Sequence, residues 1–160
     1  MEFLVPWLLF GHVLGAVVAF GPTFAFSISG AAGRAEPQHA NFAMRVSHSV
    51  SARLVYPIGI TLPITGLAIM AILRINPLER DRWWLGIAII LYIIAYGYSF
   101  FVQRMLVERA IELSSAPPPP GASGPPPELP AIGKRIGQGG MMLGLLLIAI
   151  VFLMVVKPQF

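Results

Sequence analysis

Three observations predict an all-α polytopic membrane protein, a four-transmembrane-helix up-down bundle. The chain holds four long stretches without charge, it has too few charged residues for a soluble surface, and its connections are short. Hydrophobic residues make up 56% of the 160 residues and charged ones 11%. A soluble domain carries about 25% charged residues. The net charge of +4 comes from basic residues scattered through loops. That pattern points to topology and anionic lipid as partner, with no nucleic acid. Cysteine is absent, which excludes disulfides and thiolate metal sites.

The stretches run from Phe3 to Ser29, Leu54 to Leu73, Trp83 to Val102 and Ile136 to Val156. Each reaches the roughly 20 residues that cross a hydrocarbon core of about 30 Å. In lipid the backbone must satisfy itself, so each is expected to be helical. The expected spans are about 3–28, 54–74, 83–103 and 134–156, in one transmembrane domain over 1–160. The first lacks a basic n-region and is too long for a leader's apolar core, although Ser29-Gly30-Ala31-Ala32 resembles a cleavage site. It is read as a span. Trp7, Tyr56, Trp83 and Trp84 lie near span ends, as interfacial anchors do.

Four spans put both termini and the second loop on one side. That side holds Arg74, Arg80, Arg82 and Lys157; the other holds Arg34, Arg45, Arg53, Arg104, Arg109, Lys134 and Arg135. The positive-inside rule then predicts termini outside and loops 1 and 3 in the cytoplasm. Loop 1 is read as Gly30 to Arg53, its second half extending helix 2 beyond the membrane. Loop 2 turns at Asn76-Pro77. Helix 3 is expected to continue past Val102, with Arg104, Glu108 and Glu112 on one exposed face. Residues 116–130, APPPPGASGPPPELP, read as an extended Pro-rich cytoplasmic connector, either a spacer or a strip for a partner groove. Pro130 suits the first turn of helix 4.

Inside the membrane, His12 is the one ionisable residue well within a span, and it should face the bundle. Gly11, Gly15 and Ala19 recur every four residues beside it, with Ala16 adjacent. Small residues at this spacing admit a neighbouring helix, and they would equally admit a flat macrocycle. His12 is thus either a neutral imidazole bonded to a hydroxyl on another helix, an axial ligand of haem b or a chlorophyll-type pigment, or a proton relay. In the second case Gly15, Ala16 and Ala19 would line the cofactor. His48 lies near the opposite membrane face, roughly 20 Å away along the axis, so His12 and His48 cannot share one haem.

Helix 2 carries Pro57 and Pro63 with Gly59, Thr61, Thr65 and Gly66. Interior prolines break a helix, and broken helices occur at transport sites. No Asp, Glu, Lys or Arg lies within any of the four charge-free stretches, which disfavours an ion-coupled permease. Helix 3 places Tyr92, Tyr96 and Ser99 on one stripe, expected to bond between helices, with Tyr96 or Ser99 as the partner of His12. In helix 4, Gly133, Gly137, Gly140 and Gly144 form a small-residue face for packing within the bundle or against another subunit. Its Leu, Ile, Val and Met positions should face lipid. No phosphate loop, nucleophile elbow or zinc-protease motif is present.

The segment Phe10-Gly11-His12-Val13-Leu14-Gly15-Ala16-Val17-Val18, with Leu62-Pro63-Ile64-Thr65-Gly66-Leu67, resembles an uncharacterised bacterial family of small predicted integral membrane proteins. The resemblance covers roughly Phe3 to Glu112 and implies a multi-pass protein of the bacterial inner membrane. More distantly, the helix 1 pattern is similar to copper-resistance-D-type membrane proteins. It is also similar to haem-associated protoporphyrinogen oxidases, whose helix 1 histidine matches His12. Their intramembrane lysine has no counterpart here, so their activity is not carried over. The expectation is a non-enzymatic accessory or structural subunit that packs into a larger membrane complex or homo-oligomer. The alternatives are a haem- or chlorophyll-binding protein of electron transfer or photosynthesis, and a small-solute permease.

Overall fold

Apolar stretches of this length can satisfy their backbone in lipid as helices. The computed structural model, which describes residues 1–115 and 126–158, is four helices with no strand among those residues. They are α1 (Glu2–Ala35), α2 (Pro37–Ile72), α3 (Trp83–Ser115) and α4 (Glu128–Val156), each long and apolar enough to cross a membrane. Neighbours in sequence pack side by side, and α1 also meets α4, which closes the ring of an up-down bundle. Large apolar side chains cover its outer surface. Phe10, Val17, Ile93 and Val155 are 63%, 65%, 63% and 74% exposed, a surface fit for lipid and not for water.

At 34, 36 and 33 residues, α1, α2 and α3 are much longer than a span requires. The excess lies at the end where α1 meets α2. Helix 2 extends over Asn41 to Arg53 as expected, whereas the first half of the expected loop, Gly30 to Ala40, is almost wholly helical too. Helix α1 runs to Ala35, Glu36 alone is extended, and Pro37 opens the next helical turn. The physical reason is that Pro37, which disfavours helical backbone in the residue before it, is the one proline between Thr23 and Tyr56. At the other end, α2 stops with Arg74 at φ 52 and Ile75 N–H bonded to Met70 O, a Schellman-type closure. Leu78 N–H then bonds Asn76 Oδ1 in the Asn-Pro turn. Most of the Pro-rich connector, residues 116–125, lies outside the described residues. Pro130 falls in the first turn of α4.

Two π turns interrupt the helices where they leave the apolar zone. In α2 the turn is Ser51–Val55, and Tyr56 N–H reaches back to Ser51 O. It ends two residues before Pro57, which has no amide to donate to the ladder. In α3 the turn is Tyr98–Gln103. The two adjoin: the Tyr56 hydroxyl donates to Ser99 O at 3.2 Å, and the Tyr56 and Phe100 rings meet edge to face at 5.3 Å.

Candidate functional site

The polar groups inside the bundle gather on α2, which the sequence makes the most broken helix. Pro63 has no N–H, so the Gly59 carbonyl four residues earlier loses its helical donor. Tyr92 of α3 supplies one, its hydroxyl donating to Gly59 O at 2.6 Å. One turn on, the Tyr96 hydroxyl donates to Tyr56 O at 2.9 Å. Gly59 makes both bonds possible. A Cβ there would stand 2.6 Å from Tyr96 Cε2, closer than real atoms approach. Tyr92 and Tyr96 stack at 5.8 Å, and Phe20 of α1 closes over Tyr92 at 6.2 Å. The Pro63 break of α2 is thus bridged by Tyr92, and Tyr96 adds a second tie between α3 and the α2 backbone.

His12 bonds neither Tyr96 nor Ser99. Its Nδ1 lies 2.9 Å from Thr65 Oγ1 on α2. The Thr65 hydroxyl also lies 2.9 Å from Thr61 O and 3.1 Å from Leu62 O. The Thr65 hydroxyl is thus shared between the His12 ring and the α2 backbone, tying α1 to α2. Gly66 gives the ring its seat: a Cβ there would lie 3.3 Å from His12 Cε1. Of the expected stripe, Tyr92 and Tyr96 reach α2, whereas Ser99 takes part through its backbone carbonyl.

The small-residue trench on α1 is filled by α2. Gly15 and Ala19 are buried, and a Cβ on Gly15 would stand 3.2 Å from Leu62 Cδ2. A macrocycle lined by Gly15 and Ala19 would therefore have to displace α2. Ala16 is half-buried beside them. Gly11 does not pack: nothing approaches within 4 Å of its Cβ position, because it points outward. The same holds for Gly133, Gly137, Gly140 and Gly144, so among the described residues nothing fills the space beside any of the four. Their place in the bundle is taken by Gly139, buried with Leu143, Leu147, Ile150 and Leu153. A Cβ on Gly139 would meet Gln103 Oε1 and stand 2.6 Å from the Tyr98 hydroxyl. Gln103 Nε2 donates to Ile136 O at 2.9 Å, which ties α3 to α4.

Beyond the apolar zone the chemistry changes to charge. Glu108 Oε1 accepts from Arg104 Nε at 2.8 Å and lies 3.1 Å from His48 Nε2 on α2. Arg104, and then His48, hold the Glu108 carboxyl below the usual carboxylate range. Asn41 Nδ2 reaches Ser114 Oγ at 2.7 Å and Ser115 Oγ at 3.0 Å. Arg109 bonds Glu112 at 2.8 Å. Sequence reasoning missed Thr65, Gly66, Gly139, Gln103 and the His48–Glu108 pair as contacts. The signal for Thr65 was present, a β-hydroxyl beside a small residue on the adjacent helix. Among the described residues no group of three or more His, Cys, Asp or Glu is placed to hold a metal ion.

Comparison with known proteins agrees with this architecture. No curated protein and no solved structure matches the chain. A family model described as "Predicted integral membrane protein (DUF2269)" matches residues 6–158. Nearly the whole of this four-helix chain therefore belongs to the DUF2269 family of predicted integral membrane proteins.

Proposed function

We propose that this protein is a non-enzymatic membrane subunit that assembles with other membrane helices through α4. The observation that carries this reading is the unfilled glycine face. Gly15, Gly59, Gly66 and Gly139 each receive a side chain from a neighbouring helix, whereas Gly133, Gly137, Gly140 and Gly144 receive none among the described residues. Small residues every three to four positions let a helix approach to backbone contact. Such a face gains nothing from lipid, which packs as well against leucine. The partner is a second copy or another membrane subunit. Extraction from native membranes in mild detergent, with mass measured by light scattering, tests the proposal. A particle larger than one chain is expected, and a population of monomers alone contradicts it.

One observation favours a second reading, that of a pigment- or haem-binding protein. Hydrogen bonding of one ring nitrogen to a second group is how ligating histidines are oriented, and Thr65 stands at Nδ1 of His12 in that position. The absorption spectrum of protein purified from its native host, beside His12→Ala, decides the matter. A Soret or red band lost in the variant supports ligation. A featureless spectrum removes it.

A further inference from the structure

Helix α4 carries a second outward feature on a different face from the glycines. Gln138, Met141, Met142, Leu145 and Leu146 line a shallow groove of about 370 Å³ along its surface. Lys134 and Arg135 stand four and three residues before Gln138, so they flank it one turn nearer the helix start. All three side chains are exposed, and none has an ion pair or hydrogen bond among the described residues. The nearby Glu128 is engaged by Arg109 at 3.5 Å. Two unneutralised cations therefore sit at the mouth of an apolar groove, with an amide about 5.4 Å further in, one helical turn.

We infer that this groove binds one anionic phospholipid, its phosphate between Lys134 and Arg135, its ester oxygens at the Gln138 amide and an acyl chain along Met141 to Leu145. Charge complementarity selects an anion. The Gln138 amide sits at the depth of the ester linkages, where an unbonded amide is costly and a lipid carbonyl can accept from it. The walls favour a chain over a helix. Methionine and leucine adapt to a flexible alkyl group, whereas close helix approach needs small residues, which here lie roughly a third of a turn away.

Native mass spectrometry of the full chain tests this, with phosphatidylglycerol and phosphatidylcholine of identical acyl chains. The wild type is expected to retain one phosphatidylglycerol in preference to phosphatidylcholine. The K134A/R135A double variant is expected to lower that retention roughly thirtyfold, as two membrane-surface cations would. Gln138→Leu lowers it less. The charge-matched R45A/R53A variant at the same end leaves it unchanged, and all variants keep wild-type helicity by circular dichroism. Equal retention of the two lipids overturns the proposal. So does undiminished retention in K134A/R135A, or an equal loss in R45A/R53A, which would mean diffuse charge. Efficient disulfide cross-linking of Leu145→Cys between two copies would show a protein occupant and overturn it as well.

Discussion

Two faces of α4 separate what a glycine does inside a chain from what it offers outside. Gly139 and Gly140 are adjacent in sequence. Gly139 is buried where Tyr98 and Gln103 of α3 press against the helix, whereas nothing lies within 4 Å of a Cβ on Gly140. The buried face holds the monomer together, and the open face is free for another helix. In lipid, where apolar side chains gain little by leaving one hydrocarbon for another, close backbone approach and hydrogen bonds supply the specificity.

The largest effect is expected on the buried face. Gly139→Leu forces side-chain atoms into Tyr98 and Gln103, and overpacking of this kind costs about 1–3 kcal/mol or more. Thermal unfolding in detergent should show a clear loss of stability relative to Gly140→Leu. Gly59→Ala comes next. Its methyl would collide with the Tyr96 ring, and the displaced ring would weaken the Tyr96 bond to Tyr56 O. The loss expected is about 1–2 kcal/mol. Equal stabilities of Gly59→Ala and Gly97→Ala, where nothing lies within 4 Å, would break the comparison between filled and open glycines.

A smaller and sharper effect concerns Pro63. Tyr92→Phe leaves the Gly59 carbonyl without its donor, costing about 0.6–1.7 kcal/mol. Pro63→Ala returns an N–H that can bond the same carbonyl. The loss on Tyr92→Phe should therefore shrink in the Pro63→Ala background, and a double-mutant cycle measures that coupling. Additive effects would show that Tyr92 does not replace the missing amide.

The smallest effect lies outside the membrane. The folded Glu108 carboxyl is held below its usual value by Arg104 and His48, so its contribution is present above the unfolded carboxylate value. It fades as pH falls through the lower, folded value. Hydrogen-exchange protection factors at residues 104–115, corrected for the intrinsic pH dependence, should fall at acid pH in the wild type, and less so in Glu108→Gln. The pair is solvent-exposed, so the change should be modest. Melting of the membrane-buried segments should hardly move.

Much of the fold was legible because lipid leaves few choices. Charge-free length located the four helices, and the spacing of Tyr92 and Tyr96 marked them for inter-helix bonding. Gly139 and Gly140 show where legibility ended. The run Gly137-Gln138-Gly139-Gly140 offers glycines on more than one face, and only the positions of Tyr98 and Gln103 decide which one is buried. Those positions depend in turn on the π turn Tyr98–Gln103, which rotates the end of α3 relative to a regular helix and has no proline or glycine of its own to announce it. The partner of His12 was missed for a related reason. Several hydroxyls lay within plausible depth, and only the Gly15–Leu62 contact, by fixing how α1 sits on α2, brings Thr65 to the ring. Only the first half of loop 1, Gly30 to Ala40, was overestimated, because charge does not distinguish a loop from an emergent helix.

The most direct test measures the mass of the wild type and of Gly140→Leu in the same mild detergent, after extraction from the same native membranes. A wild-type particle larger than one chain is expected, with a Gly140→Leu monomer that keeps wild-type helicity. Equal masses for the two proteins would contradict it, because the open face of α4 would then join nothing.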